Sequence, residues 1–217
     1  MTIPPRVERV LTRLLKPAVW IGGLLPLALL VVAVFTGSIG PEPIEEVTHR
    51  TGKAALVLLM TTLAVTPVRR FTGWNQAVGA RRPLGLFAFF YACLHFLTYM
   101  VDQGFDPGYI VEDVVERPYV TAGFTALVLL VPLAVTSTRG WIRRLGKRWQ
   151  KLHRLVYIAG GLAVVHFLWL VKADLREPLV WAAVFAALIA LRLPGRRGGR
   201  AKPAPRERRT ERERLPA

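Results

Sequence analysis

Carboxylates are scarce in this chain: 14 Asp and Glu stand against 30 Lys and Arg in 217 residues, a net charge of +16. None lies in the interior of an apolar run, so no acid-lined path for protons or cations crosses such a run. There is one cysteine, Cys93. It cannot form an intrachain disulfide, says nothing about redox compartment, and is read as packing. No Gly-rich nucleotide loop is present, and connectors between apolar runs hold at most about seventeen residues, too few for a second domain. The chain should therefore not oxidise a nicotinamide nucleotide by itself.

What is abundant is apolar surface, 53% of residues. Windows at 18–36, 52–66, 83–101, 119–136, 152–172 and 177–193 approach the ~20 apolar residues that a span needs. The expected fold is all-α, a polytopic membrane helix bundle of six transmembrane helices. The run beginning at Ala18 is too long for a signal peptide and counts as the first span. Divided this way, the chain has an N-terminal segment at 1–17, a transmembrane domain at 18–193 and a basic tail at 194–217. That tail is expected to be disordered and able to touch anionic lipid.

The positive charge would suggest nucleic acid in a soluble protein, but its distribution points to a membrane. Bases gather in alternate segments: Arg6 to Lys16, Arg69 to Arg82, Arg139 to Arg154, and the tail from Arg192. The intervening segments carry acids such as Glu42, Glu45, Glu46, Asp106, Glu112, Asp113 and Glu116. Under the positive-inside rule both termini are cytoplasmic.

Four histidines remain, and two fall deep in apolar runs. At about 1.5 Å per residue, His95 lies roughly 18 Å past Pro83 and His166 roughly 21 Å past Leu152. Both runs point outward, so the rings reach the same depth. An ionisable group in hydrocarbon needs a partner, and two neutral imidazoles at one depth match the axial needs of a six-coordinate haem. A hydrogen bond from each ring to a neighbouring helix is the simpler use. The position facing His153 would be Arg82, which is no haem ligand. His153 is thus left as an alternate ligand, a flavin or quinone contact, or an interfacial residue. Gly160 and Gly161 remove bulk beside either a macrocycle or a helix. His49 sits at the outer face, as a surface residue or an outer-side quinone contact. Arg81, Arg82, Arg148, Lys151 and Arg154 could be counter-charges to a flavin phosphate, although topology alone also places bases there.

Several stretches carry a resemblance: Thr48-His49-Arg50-Thr51-Gly52, Leu63-Ala64-Val65-Thr66-Pro67, Arg81-Arg82-Pro83-Leu84-Gly85-Leu86 with His95, and Leu145 to Tyr157 leading to His166. Over about residues 18–193 the chain resembles the MsrQ (YedZ) family, within the ferric reductase-like transmembrane group. The resemblance implies a bacterial inner-membrane subunit with b-type haem, carried over to His95, His153 and His166, and an associated FMN. It also implies electrons drawn from the quinone pool and delivered to a periplasmic molybdoenzyme, MsrP, which reduces methionine sulfoxide in oxidised proteins. The chain would then be an electron-transfer subunit, not the catalytic one. Other readings are a stand-alone ferric or metal reductase, a transporter, or a membrane anchor.

Overall fold

The computed structural model describes residues 4–192, and the tail expected at 194–217 lies outside them. Helix α1 runs Pro5–Phe35, α2 Pro43–Thr72, α3 Arg81–Asp102, α4 Pro107–Glu116 and α5 Pro118–Val135. Short helices α6 (Arg139–Leu145) and α7 (Lys147–Leu152) precede α8 (Leu155–Leu170) and α9 (Arg176–Ala190). The fold is a polytopic helical bundle, and the described residues contain no strand.

Among the described residues, five segments are long and apolar enough to cross a membrane: Val7–Phe35, Pro43–Thr72, Asn75–Asp102, Pro118–Val135 and Lys147–Leu170. The sixth expected span forms α9, whose 15 residues make a helix about 22 Å long. The helices overrun the apolar windows. α1 starts thirteen residues ahead of its window because Pro5 sits in its first turn, where a missing N–H costs nothing. α2 begins at Pro43 for the same reason and ends where Gly73 turns left-handed, φ 74°.

The apolar window closes at Thr66, just before Pro67, but α2 continues through Pro67 to Thr72. A proline there deprives the Leu63 carbonyl of its helical donor. Arg192 supplies the replacement, its Nη2 donating to that oxygen. Inserted backbone acceptors of this kind are satisfied by neighbouring helices in membrane bundles.

Packing uses small residues. α2 lies antiparallel along α3, with Thr66 beside Arg81 at one end and Thr48 beside His95 at the other. α5 lies along α7 and α8 the same way, with Thr136 beside Trp149 of α7 at one end and Tyr119 beside His166 of α8 at the other. Ala88 and Ala159 are fully buried at the centres of these pairs, as close helix approach requires. Large side chains such as Trp20, Ile21, Leu25 and Phe35 are exposed; in a bilayer they face lipid. α1 attaches through Tyr91, whose hydroxyl donates to the Gly23 carbonyl at 2.7 Å and accepts from Leu27 N–H at 3.0 Å. That phenol occupies the place of an i→i−4 helix bond.

Candidate functional site

The structure brings His95 of α3 and His166 of α8 together, with ring centroids 6.0 Å apart and planes inclined by 76°. Each ring is tied at the back. His95 Nδ1 lies 2.8 Å from the Thr48 carbonyl, and His166 Nδ1 lies 2.7 Å from the Tyr119 carbonyl. A carbonyl can only accept, so each Nδ1 carries the proton and each Nε2 keeps its lone pair.

The two halves of the site repeat one design. In both, the histidine lies 47 residues after the residue whose carbonyl it engages. In both, a glycine lies one turn after that carbonyl, Gly52 in α2 and Gly123 in α5. A Cβ on Gly52 would come within 2.9 Å of His95 Nδ1, and one on Gly123 within 2.7 Å of His166 Nδ1. Glycine is what lets an imidazole reach a carbonyl already inside a helix. Two turns before each histidine stands the buried alanine, Ala88 or Ala159.

This arrangement fits a single metal held on opposite sides. Metal–imidazole bonds of about 2.0 Å, plus about 1.1 Å from nitrogen to ring centre, separate two axial imidazole centroids by roughly 6 Å. Among the described residues no group of three or more His, Cys, Asp or Glu gathers in ligand geometry. The protein thus offers two axial nitrogens and no closed metal cage, which suits a group whose remaining ligands are its own, as in haem.

The other candidates lie apart from this pair. His153 is outside the apolar helix: it forms the turn between α7 and α8, because the helix breaks at His153-Arg154. Its ring stacks on Trp149 at 3.8 Å, and its Nδ1 engages the Trp149 carbonyl at 3.1 Å. Its Nε2 is buried with no partner among the described residues. His49 is exposed, 4.0 Å from Glu45. Arg82, Arg148, Lys151 and Arg154 are exposed. Only Arg81 turns inward, donating through Nη2 to the Thr66 hydroxyl with Nε unpartnered among the described residues. Gly160 faces Phe185 and Leu63, so helix packing accounts for it.

The hydrogen bond from each ring to a neighbouring helix is the simpler use that the sequence offers; what the sequence does not show is that backbone carbonyls accept it and that two glycines make room for it, although the glycine-to-histidine spacing repeats. The sequence also does not mark Arg192, which donates to the Tyr157 hydroxyl and sits 5.0 Å over that ring. With Arg81 it makes a second inward-facing guanidinium whose Nε lacks a partner among the described residues.

Comparison with known proteins gives a consistent result. The family described as "Ferric reductase like transmembrane component" matches residues 51–164. The protein-methionine-sulfoxide reductase heme-binding subunit MsrQ of Rhodospirillum rubrum is 51% identical over 195 residues, covering 87% of this chain and 94% of the relative. The proteins of the same name in Ralstonia nicotianae and Deinococcus radiodurans are 50% and 49% identical, covering 88% and 82% of this chain and 88% and 89% of the relatives. No solved structure matches.

Proposed function

This chain belongs to the MsrQ family of ferric reductase-like transmembrane proteins, and from that premise we propose that it is the b-type cytochrome subunit supplying electrons to a periplasmic methionine sulfoxide reductase, MsrP. The observation that supports this reading is the opposed imidazole pair, 6.0 Å between centroids and each ring fixed in one tautomer by a helix carbonyl. His95 and His166 hold the iron. A haem held by these two histidines would supply reversible one-electron exchange.

The chain's own residues orient and insulate. Nδ1–H donation to Thr48 and Tyr119 keeps both Nε2 atoms neutral and aimed inward, so no ligand has to gain or lose a proton as the iron changes charge. The basic connectors face the cytoplasm, which puts the protein in the bacterial inner membrane as a multi-pass subunit with both termini inside and the histidine pair in its outer half. Delivery is then to the periplasm. Reduction of a sulfoxide to a thioether and water takes two electrons and two protons; that chemistry belongs to MsrP, and this chain serves as its electron-transfer subunit.

Electrons enter from the quinone pool, with FMN on the opposite, basic side. Arg81 is the residue best suited to a flavin phosphate, being half-buried with an unpartnered Nε among the described residues; Arg82, Arg148, Lys151 and Arg154 are outer counter-charges. His153 borders the same side as an alternate ligand or flavin contact.

The test is anaerobic stopped-flow mixing of dithionite-reduced protein with purified oxidised MsrP. Reoxidation of the reduced spectrum by MsrP, and not by a ferric chelate, is the expected result. Reoxidation by the chelate alone would make the chain a stand-alone metal reductase.

A further inference from the structure

Asp113 is a buried carboxylate, 5% exposed, on a helix whose other acids, Glu112 and Glu116, are exposed. α4 is a ten-residue helix capped by Asp106, which accepts from Gly108 N–H at 2.8 Å. Nothing in that cap needs a charge on the inner face. Burying a carboxylate carries a desolvation cost of several kcal/mol unless its oxygens are well partnered, and both oxygens of Asp113 are. Oδ2 accepts from the Tyr99 hydroxyl at 2.9 Å, and Oδ1 faces Arg117 Nε at 2.9 Å.

The partners lead to the two halves of the histidine site. Tyr99 lies on α3 one turn beyond His95. Arg117 caps α5, donates to the Tyr119 hydroxyl at 3.3 Å through Nη1 and to the Tyr109 hydroxyl at 3.4 Å through Nη2. Tyr119 is the residue whose carbonyl holds His166. A single carboxylate therefore joins the His95 helix to the turn that anchors His166. The α2–α3 and α5–α8 pairs also share an apolar core and the Phe96–Phe124 contact, but Asp113 is the carboxylate that ties both to the outer end of the site.

We infer that Asp113, through Tyr99 and Arg117, is a positioning residue that sets the angle between the His95 and His166 rings and the charge at the outer edge of their site. The inference rests on the proposed haem ligation. Its readouts are the ferric low-spin electron paramagnetic resonance signal, strongly anisotropic for near-perpendicular axial imidazoles and rhombic for parallel ones, and the midpoint potential. Removing the carboxylate leaves Arg117 uncompensated, and a nearby positive charge favours ferrous iron.

The experiment compares detergent-purified wild type with Asp113→Asn, Asp113→Glu, Tyr99→Phe and Glu112→Gln. Expected are a full haem load in Asp113→Asn with a signal moved toward the rhombic type and a raised potential. Asp113→Glu returns both toward wild type, and Glu112→Gln, an equal charge change on the solvent side of α4, moves neither. An unchanged signal and potential in Asp113→Asn would overturn the inference. If that variant does not accumulate, Tyr99→Phe decides, because it removes one hydroxyl: a smaller shift of the same sign supports the inference and no shift overturns it. A wild type without haem would overturn the ligation reading and this inference with it, a result distinct from either.

Discussion

His95 and His166 are held by the same device twice, each Nδ1 on a carbonyl of the neighbouring helix, at 2.8 Å and 2.7 Å. The repetition means that α2–α3 and α5–α8 are two versions of one hairpin brought together at their histidines. A ligand seated between them meets two equivalent neutral nitrogens. The predictions follow from how narrowly each half is built.

Adding a methyl group at Gly52 or Gly123 should break one half. The new Cβ would sit 2.9 Å or 2.7 Å from an imidazole nitrogen, closer than packed atoms allow, and relieving it costs about 1–3 kcal/mol. Gly123→Ala is expected to lower the haem-to-protein ratio, measured by pyridine haemochrome, and Gly52→Ala to do so less. A full load in both variants would show that the rings do not depend on those carbonyls.

Arg81→Ala should separate flavin from haem. The guanidinium engages Thr66 and leaves Nε unpartnered among the described residues, far along α3 from His95. FMN retained through size exclusion, read by fluorescence after denaturation, is expected to fall severalfold while the visible haem spectrum stays. Parallel loss of both would make Arg81 a folding residue.

Tyr91→Phe should loosen α1 only. Losing a buried hydroxyl that bridges Gly23 and Leu27 costs on the order of 1 kcal/mol, since the freed N–H and carbonyl can re-form the helix bond between them. Thermal unfolding in detergent is expected a few degrees lower, with haem spectrum and potential as in wild type.

The side of the membrane on which α9 ends is directly testable. Among the described residues five helices pass the length and apolarity requirement, and α9, with 15 residues, falls short of it; with a cytoplasmic N-terminus its crossing decides the fate of the C-terminus. Basic charge at that end predicts a cytoplasmic location. A C-terminal green fluorescent protein fusion should fluoresce, and an alkaline phosphatase fusion should be inactive. The reverse pattern would mean five spans.

The histidine pair was legible because an ionisable group inside a long apolar run has few explanations, and equal depth in two such runs has fewer. Its anchoring was not, because backbone carbonyls leave no side-chain signature and Gly52 or Gly123 alone reads as ordinary packing. Hydropathy marks where lipid touches a helix, not where the helix ends, which is why α1 and α2 run past their windows. The same limit hides α4, a ten-residue helix between two apolar windows. α2 runs on through Pro67 because Arg192, distant in sequence, takes up the freed Leu63 carbonyl. His153 stands at the edge of its apolar window, where the chain turns and stacks it on Trp149.

The most direct test is the visible spectrum of the detergent-purified protein, oxidised and dithionite-reduced, for wild type and for His95→Ala, His166→Ala and His153→Ala. A six-coordinate b-type spectrum in wild type, lost or converted in the first two variants and kept in His153→Ala, is the predicted result. A wild type that takes up no haem when haem is ample, or a spectrum unchanged in both His95→Ala and His166→Ala, would contradict it.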